Sequence, residues 1–307
     1  MNKLIINIIR FSIPVLLCVG VIESSLRNIP NDYSYKSDYL KENSSKIEVL
    51  YVGSSHIFFG VNPEYSQYKA FNAAMTSQDL SLDWKLFNKF KNWNHLKTIV
   101  IPIDYISLSS KLENGIEAWR MKNYTLYYGI PSKNITDYAE VFNGRFSDNI
   151  GRLQNFYKNR KINIDCNKLG FGTTYSHTIK KDLKNNAAEA AKRHFVDINS
   201  KQGIHAYEDN KKAIENFISY GKSKDVKILF VSVPVTSYYS ELTNNEQLST
   251  TLSYIKNQVS NNKNCYYINL INDRSFTNND FYDGDHLNDL GAIKLTLKID
   301  QEIKKHP

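Results

Sequence analysis

The chain has 307 residues, of which 41% are hydrophobic, 23% charged and 13% aromatic. This composition is typical of a globular protein with one large domain or two small ones, and it excludes a disordered chain, a collagen-like repeat and a multi-span membrane protein. Three cysteines are too few for a disulfide scaffold. The net charge is +8, but the basic residues are scattered instead of forming a stripe, so we expect no nucleic-acid partner.

The N-terminal segment, residues 1–27, is predicted to be a membrane anchor. Residues 4–22 are almost entirely apolar, and Lys3 and Arg10 place the positive charge on the N-terminal side. The run can span a bilayer if Arg10 reaches the headgroups. The charge asymmetry predicts that the remainder is extracytoplasmic, either periplasmic or at the cell surface. Since no clear small-x-small site follows the run, we favour an anchor over a cleaved signal peptide, which is the alternative.

In an oxidising compartment, a disulfide between Cys166 and Cys265 is permissible, although their separation in sequence says nothing of their distance in space.

After the anchor, residues 28–46 are polar and without period, and we interpret them as a stalk. From residue 47 onward, short apolar runs rich in β-branched residues alternate with segments of helical periodicity. The predicted strands cover 47–53, 69–74, 96–103, 226–235 and 265–271, and the predicted helices cover 77–93, 209–222, 243–260 and 288–304. This alternation predicts an α/β domain, residues 47–307, with a parallel sheet and helices on both faces.

Residues 108–205 interrupt this rhythm and are predicted to form an inserted helical cap, with a helix at 182–194. The cap is rich in aromatic residues, which can pack its core or form a platform for sugar rings, and we favour packing. They are Trp119, Tyr124, Tyr127, Tyr128, Phe142, Phe146, Phe156 and Tyr157.

Residues with catalytic potential follow several of the predicted strands. Ligands of parallel sheets bind at the carboxyl ends of the strands, where this chain places Ser55 after the first strand and His286 after the last. A serine hydroxyl is a weak nucleophile and needs an adjacent base, which His286 can be. Asp283, three residues earlier, can orient the imidazole, and the neighbouring Asp285 is the alternative partner.

These segments resemble the motif blocks of the SGNH/GDSL hydrolase superfamily. Residues 50–55, an apolar strand running into Gly-Ser-Ser, are similar to the first block, with Ser55 at the position of the nucleophile. Residues 72–77, beginning with Asn72, resemble the second block, with Ser77 in place of a glycine. The last block, Asp-Gly-x-His-x-Asn-x-x-Gly, matches in register at Asp283, Gly284, His286, Asn288 and Gly291.

The resemblance implies a flavodoxin-like three-layer sandwich, the SGNH hydrolase fold, with a catalytic triad of Ser55, His286 and Asp283. It also implies an oxyanion hole that includes the backbone N–H groups of Ser55 and Ser77. The chain has no zinc-binding or phosphate-loop motif, so we expect no cofactor and no metal.

The third block departs from the family pattern. The family expects Gly-x-Asn-Asp, whose Asn side chain completes the oxyanion hole, whereas this chain has Asp104 and Tyr105 after the third strand. An ionised Asp104 facing an oxyanion would oppose catalysis. It therefore points away or is protonated, or Tyr105 or another donor substitutes. His56, beside the nucleophile, is expected to pack or to form a local hydrogen bond, with substrate contact as the alternative.

Membrane-anchored relatives with such blocks are associated with acyl transfer or deacylation on glycans. We therefore expect serine-dependent hydrolysis or transfer of an O-acyl ester, with acetyl as the default group, on an envelope or capsular polysaccharide. The residues leave open whether water or a sugar hydroxyl accepts the acyl group, and the anchor and cap favour transfer slightly. The expected partners are the glycan, the membrane and other envelope-assembly proteins. The alternative is an inactive glycan-binding or scaffolding module.

Overall fold

The computed structural model describes residues 2–179 and 181–306. The helices are α1 (Asn2–Arg27), α2 (Asp32–Asn43), α3 (Ser55–Phe58), α4 (Leu80–Lys89), α5 (Met121–Tyr128), α6 (Phe146–Leu153), α7 (Leu183–His194), α8 (Lys201–Lys224), α9 (Ser237–Ser240), α10 (Asn245–Asn261) and α11 (Asp289–Lys305). The strands are β1 (Val49–Tyr51), β2 (Ala70–Asn72), β3 (Thr98–Pro102), β4 (Lys227–Ser232) and β5 (Cys265–Asn269).

The five strands form one parallel sheet in the order β2-β1-β3-β4-β5. This order is that of flavodoxin-like folds, and helices lie on both sides of the sheet, so the predicted fold class is confirmed. From β1 the chain adds β2 on one side and then β3, β4 and β5 on the other side, so the switch point of the topology lies between β1 and β3. Ligands of such sheets bind beside the carboxyl ends of these two strands.

Every predicted strand is present, but each is shorter than its apolar run. The reason is that buried apolar residues continue beyond the hydrogen-bonded ladder: Val52, Ile103 and Val233 follow β1, β3 and β4 and are all at most 2% exposed. The apolar pattern of the sequence reflects burial, and burial extends past the strand ends into the loops that carry the candidate site. The predicted strands are therefore too long.

The described chain forms two compact units. The first consists of residues up to 37 together with 119–164, and the second consists of 38–118 together with the chain from 165 onward. The second unit contains the sheet. Of the predicted insertion at 108–205, residues 119–164 belong to the first unit, and the remainder, including α7, belongs to the second.

The first unit contains α1, an apolar helix that is long enough to cross a membrane and whose apolar side chains are exposed. A signal sequence would have the same length and composition. At the end of this helix, the Glu23 carboxylate accepts the backbone N–H groups of Glu140 and Val141, at 3.0 and 2.8 Å. Glu140 in turn pairs with Lys122 and Arg152. These contacts join 119–164 to the C-terminal turn of α1.

Within the predicted stalk, residues 28–46, the structure forms α2 at residues 32–43. The Asn31 side chain accepts the N–H groups of Tyr33 and Ser34 at 3.0 and 3.1 Å, which satisfies the first turn of the helix. Tyr33 and Leu40 are buried, and Tyr39 stacks on Phe71 with ring centroids 4.2 Å apart. Apart from Leu40, the helix packs tyrosine rings where aliphatic side chains are more usual, which is why its sequence pattern is polar.

The aromatic residues of 119–164 are divided between the interior and the surface. Tyr124 and Tyr128 are buried, as core packing predicts, whereas Trp119, Phe142 and Phe146 are at least half exposed. Cys166 and Cys265 are not bonded to each other in the structure, so the permissible disulfide is not formed.

Candidate active site

The loop after β1 presents Ser55 at the carboxyl edge of the sheet. Gly53 has φ of 125°, and a Cβ there would lie 2.2 Å from Pro102 Cγ, so glycine alone fits this turn. The Ser54 hydroxyl accepts the N–H of His56 at 3.4 Å and caps the short helix that begins with Ser55. The Gly-Ser-Ser sequence is thus explained by the turn that projects the Ser55 hydroxyl.

The loop between β5 and α11 places Asp283 and His286. Asp283 Oδ1 accepts the backbone N–H groups of Asp285 and His286, at 3.1 and 2.8 Å, which is the way that aspartate stabilises tight turns. Gly284 is required because a Cβ there would lie 2.3 Å from the backbone of Ala187 on α7.

The structure brings Ser55, His286 and Asp283 into one hydrogen-bonded chain. His286 Nε2 lies 2.8 Å from Ser55 Oγ, and His286 Nδ1 lies 3.0 and 3.2 Å from the two carboxylate oxygens of Asp283. Because the carboxylate can only accept, Nδ1 carries the proton in the neutral ring and Nε2 is free to accept the serine proton. The arrangement is that of a nucleophile, a base and an orienting acid.

Two backbone N–H groups are available beside the nucleophile. Ser55 and Ser77 both line the cavity, and within the described residues neither backbone N–H donates to a protein acceptor. Such unpaired donors beside a nucleophile can stabilise the oxyanion of an acyl-transfer reaction. The buried carboxylate of Asp83 on α4 braces both loops, because its Oδ1 accepts from the Gly53 N–H at 2.8 Å and from the Gln78 side chain at 2.6 Å.

Ser77 adopts a left-handed backbone conformation with φ of 59°. This conformation costs an L-residue roughly 1–2 kcal/mol, and glycine avoids that cost but loses more entropy on folding. We expect Ser77→Gly to raise the free energy of unfolding by up to about 1 kcal/mol and to leave turnover nearly unchanged, because the N–H remains. Urea denaturation followed by tryptophan fluorescence measures this. Ser77→Ala keeps the strain and is the matched control, and equal stability of both variants would contradict the explanation.

The other motif residues named in the sequence analysis, Asn72, Asp104, Tyr105 and His56, were candidates for lining the site, but none of them lines the cavity. Asn72 donates to the carbonyls of Ile57 and Val61, both at 2.8 Å, and so braces the backbone after the nucleophile. Tyr105 is 4% exposed, and its hydroxyl accepts the N–H of Asn244 at 3.0 Å. Tyr105 is therefore not the donor that replaces the missing asparagine.

Asp104 does not face the oxyanion position but His56. Its Oδ2 lies 2.8 Å from His56 Nδ1, and His56 Nε2 lies 3.1 Å from Oδ2 of Asp285. The ring of His56 is thus hydrogen-bonded to side chains that lie 48 and 229 residues away in the sequence. Asp285, the alternative partner of His286, also lies near that ring, with its Oδ1 3.4 Å from His286 Nδ1.

His194, which no motif singles out, completes this buried cluster. Its Nδ1 lies 2.8 Å from the hydroxyl of Tyr239 and 3.7 Å from Oδ2 of Asp285. Burial lowers the pKa of His194 to about 4, so this imidazole is neutral. The side chains come from α7 and from the loops after β3 and β5, and no local sequence signal connects them.

At His286 and His56, nearby carboxylates affect the pKa more than burial does. Burial lowers the pKa of His286, but the charges of Asp285 and Asp283 outweigh it and hold that pKa well above its usual value. Burial likewise lowers the pKa of His56, but Asp104 and Asp285 raise it to about 9. Burial alone would raise the pKa of Asp285, yet His286 and His56 hold it well below its ordinary value.

One buried group has spacing suitable for a metal ion. His56, Asp285 and His286 each present a ligand atom within 4.8 Å of the others. The same atoms, however, are paired with each other and with Ser55 and Asp104 in the hydrogen bonds described above. We therefore assign the group to a hydrogen-bond network.

The cavity in front of Ser55 has a volume of about 710 Å³, a size that suits a small ligand or part of a chain. Most of its lining residues are polar, including Asp79, Lys111 and Arg193. Tyr175 forms a wall beside His286, with ring centroids 5.4 Å apart. Because Phe59 and Tyr282 stack on Tyr175 at 3.7 and 3.9 Å, this ring is fixed and has little free face to offer a sugar.

Comparison with known proteins gives similarity at the level of structure. No protein-family model and no curated protein sequence matches the chain significantly. A protein described as an acylhydrolase from Bacteroides fragilis is 9% identical, with a TM-score of 0.44 over 88% of this chain and 96% of that one. A GDSL-like lipase from Bacteroides thetaiotaomicron is 12% identical, with a TM-score of 0.42 over 90% of this chain and 100% of that one.

A protein described as a platelet activating factor from Streptococcus pneumonia is 11% identical, with a TM-score of 0.45 over 96% of this chain and 99% of that one. Similarity at these scores carries no weight for activity, so the chemistry of this chain is inferred from its own side chains.

Proposed function

We propose that this protein is a serine-dependent acyl-ester hydrolase or transferase. The observation that carries the proposal is the hydrogen-bonded chain from Ser55 through His286 to Asp283 beside two unpaired backbone donors. Ser55 Oγ attacks the acyl carbonyl while its proton passes to His286 Nε2, and Asp283 stabilises the imidazolium. The N–H groups of Ser55 and Ser77 stabilise the oxyanion.

The second half of the reaction uses the same groups. His286 returns the proton to the leaving alkoxide, and the acyl group stays on Ser55 Oγ. Water or a sugar hydroxyl then attacks the acyl-enzyme, gives its proton to His286 Nε2 and carries the acyl group away, after which the proton returns to Ser55. Hydrolysis and transfer therefore differ only in the acceptor.

The proposed substrate is an O-acyl ester, acetyl by default, on an envelope or capsular polysaccharide. The polar side chains among the lining residues, including Lys111 and Arg193, support a hydroxyl-rich substrate because they can form hydrogen bonds with it. The apolar α1 supports placement at a membrane, with the sheet unit outside the cytoplasm and access to glycan and other envelope-assembly proteins.

The test is acyl-ester turnover by the full chain in detergent, with p-nitrophenyl acetate as donor and with or without an oligosaccharide acceptor. We expect release of nitrophenol that is lost in Ser55→Ala. Acetyl transfer to the oligosaccharide identifies a transferase, and release that ignores the acceptor identifies an esterase. A folded Ser55→Ala variant that releases nitrophenol as fast as the wild type would refute the nucleophile.

The alternative, an inactive glycan-binding module, is favoured by one observation. Since Asp104 is bonded to His56 and Tyr105 is buried elsewhere, neither third-block side chain donates to the oxyanion. Loss of one such donor typically costs about 10²–10³ in rate, which weakens an enzyme without abolishing it. Oligosaccharide binding by a folded chain that a fluorophosphonate does not label at Ser55 would support this alternative.

A further inference from the structure

His56 is enclosed by acidic side chains on both ring nitrogens. Its Nδ1 lies 2.8 Å from Asp104 Oδ2 and its Nε2 lies 3.1 Å from Asp285 Oδ2. Both carboxylates and the imidazole are at most 8% exposed. A neutral imidazole has one N–H and can donate to one carboxylate only, whereas an imidazolium donates to both. The geometry therefore matches a buried carboxylate–imidazolium–carboxylate chain.

The groups around His56 come from three parts of the sheet unit. Asp104 follows β3, Asp285 and His286 lie in the loop before α11, and His194 ends α7. The ring of His56 lies 4.8 Å from that of His286 and 6.3 Å from that of His194. His194 is neutral because of its burial, so the charges facing His56 are the two carboxylates and, when protonated, His286.

Asp285 links this chain to the proposed catalytic base. One of its oxygens pairs with His56, and the other lies 3.4 Å from His286 Nδ1, beside the closer carboxylate of Asp283. His286 thus has two carboxylates at one ring nitrogen. With both charges uncompensated, His286 would hold its proton too strongly to accept one from Ser55.

We propose that His56 is a positioning residue, protonated at neutral pH, which anchors the Asp285 carboxylate and offsets its charge, so that Asp283 alone orients His286. The role assigned to His286 rests on the proposed function, whereas the charge of His56 does not. Removal of this cation should expose His286 to the full charge of Asp285. The pKa of His286 would then rise by about one unit or more, since charges about 5 Å apart interact strongly in a protein interior.

The first experiment measures the pH dependence of Ser55 labelling by a fluorophosphonate in the full chain in detergent. Ser55 Oγ bonds to phosphorus, fluoride leaves and the serine proton passes to His286 Nε2, so labelling requires neutral His286 and rises with pH. We expect His56→Gln to move the midpoint of this rise upward by about one pH unit or more. His95→Gln, a substitution of an exposed histidine, should leave it unchanged.

A double substitution separates charge from loss of packing. In His56→Gln/Asp285→Asn the uncompensated carboxylate is gone, so the midpoint should return to the wild-type value or below it. A fall in labelling rate with an unchanged midpoint in His56→Gln would show a structural role only and would overturn the proposal. The same conclusion would follow if the double variant kept the raised midpoint.

The wild-type protein provides a measurement that does not depend on activity. In the full chain with ¹⁵N-labelled histidine, both ring nitrogens of His56 should show imidazolium shifts at pH 7–8, with the assignment taken from the signal lost in His56→Gln. A His56 signal that titrates near pH 6.5 would refute the proposal. Absence of Ser55 labelling at every pH would refute the proposed function instead, and the imidazolium measurement would still decide the charge of His56.

Discussion

Replacement of His286 by glutamine is expected to lower kcat/KM for an acyl ester by about 10⁴ or more. His286 Nε2 is 2.8 Å from Ser55 Oγ, so it is the one group within the described residues that is placed to accept the serine proton. Glutamine can occupy the space and bond to Asp283, but it cannot act as a base near neutral pH. The measurement is the rate of p-nitrophenyl acetate hydrolysis by the full chain in detergent.

The sharper test of this role is non-additivity. If Ser55 and His286 act as one unit, Ser55→Ala/His286→Gln should be about as slow as either single variant, because each substitution alone removes the same proton-coupled attack. His205→Gln, at an exposed histidine of α8, is the matched control and should retain full activity. Multiplicative losses in the double variant would mean that the two residues act separately.

The sequence predicts the elements of the site well where short-range chemistry determines them. Gly53 is required by its positive φ and by the close Pro102 ring, and Gly284 is required by the close backbone of Ala187. The carboxylate of Asp283 stabilises its own turn by accepting two N–H groups. Because each of these requirements restricts the residue type at a fixed position in a turn, it can be recognised as a motif in the sequence. The strand–helix alternation predicts the parallel sheet for a similar reason, since burial of strands on both faces produces continuous apolar runs.

The other parts of the site depend on contacts between residues that are far apart in the sequence and that the strand order brings together. Asp104, His56 and Asp285 are separated by 48 and 229 residues, and only the strand order brings their loops together. In the sequence pattern, Asp104 is a departure from the motif that completes the oxyanion hole, whereas in the structure its carboxylate is bonded to the buried His56. The same limitation explains α2, whose tyrosines find their aromatic partners at distant positions.

Asp283→Asn is expected to lower kcat by about 10³–10⁴, whereas Asp285→Asn should lower it by about tenfold or less at the optimal pH of each variant. Asp283 is the nearer acceptor for His286 Nδ1, at 3.0 Å against 3.4 Å, and two backbone N–H groups hold it in place. An amide there offers its own N–H to the ring, which favours the tautomer that cannot accept the serine proton.

Asp285 differs because its nearer contact is with His56. Its replacement leaves the tautomer of His286 set by Asp283 but removes one negative charge beside the ring. The pKa of His286, which this charge helps to raise, should fall, and the acid limb of the rate profile should move to lower pH. Full pH profiles of both variants, with thermal unfolding to verify folding, distinguish the two roles. If both variants lost the same amount of kcat and neither acid limb moved, the two carboxylates would share the role of orienting His286. A carboxylate that acts only through its charge would instead change the pH profile and leave kcat nearly unchanged.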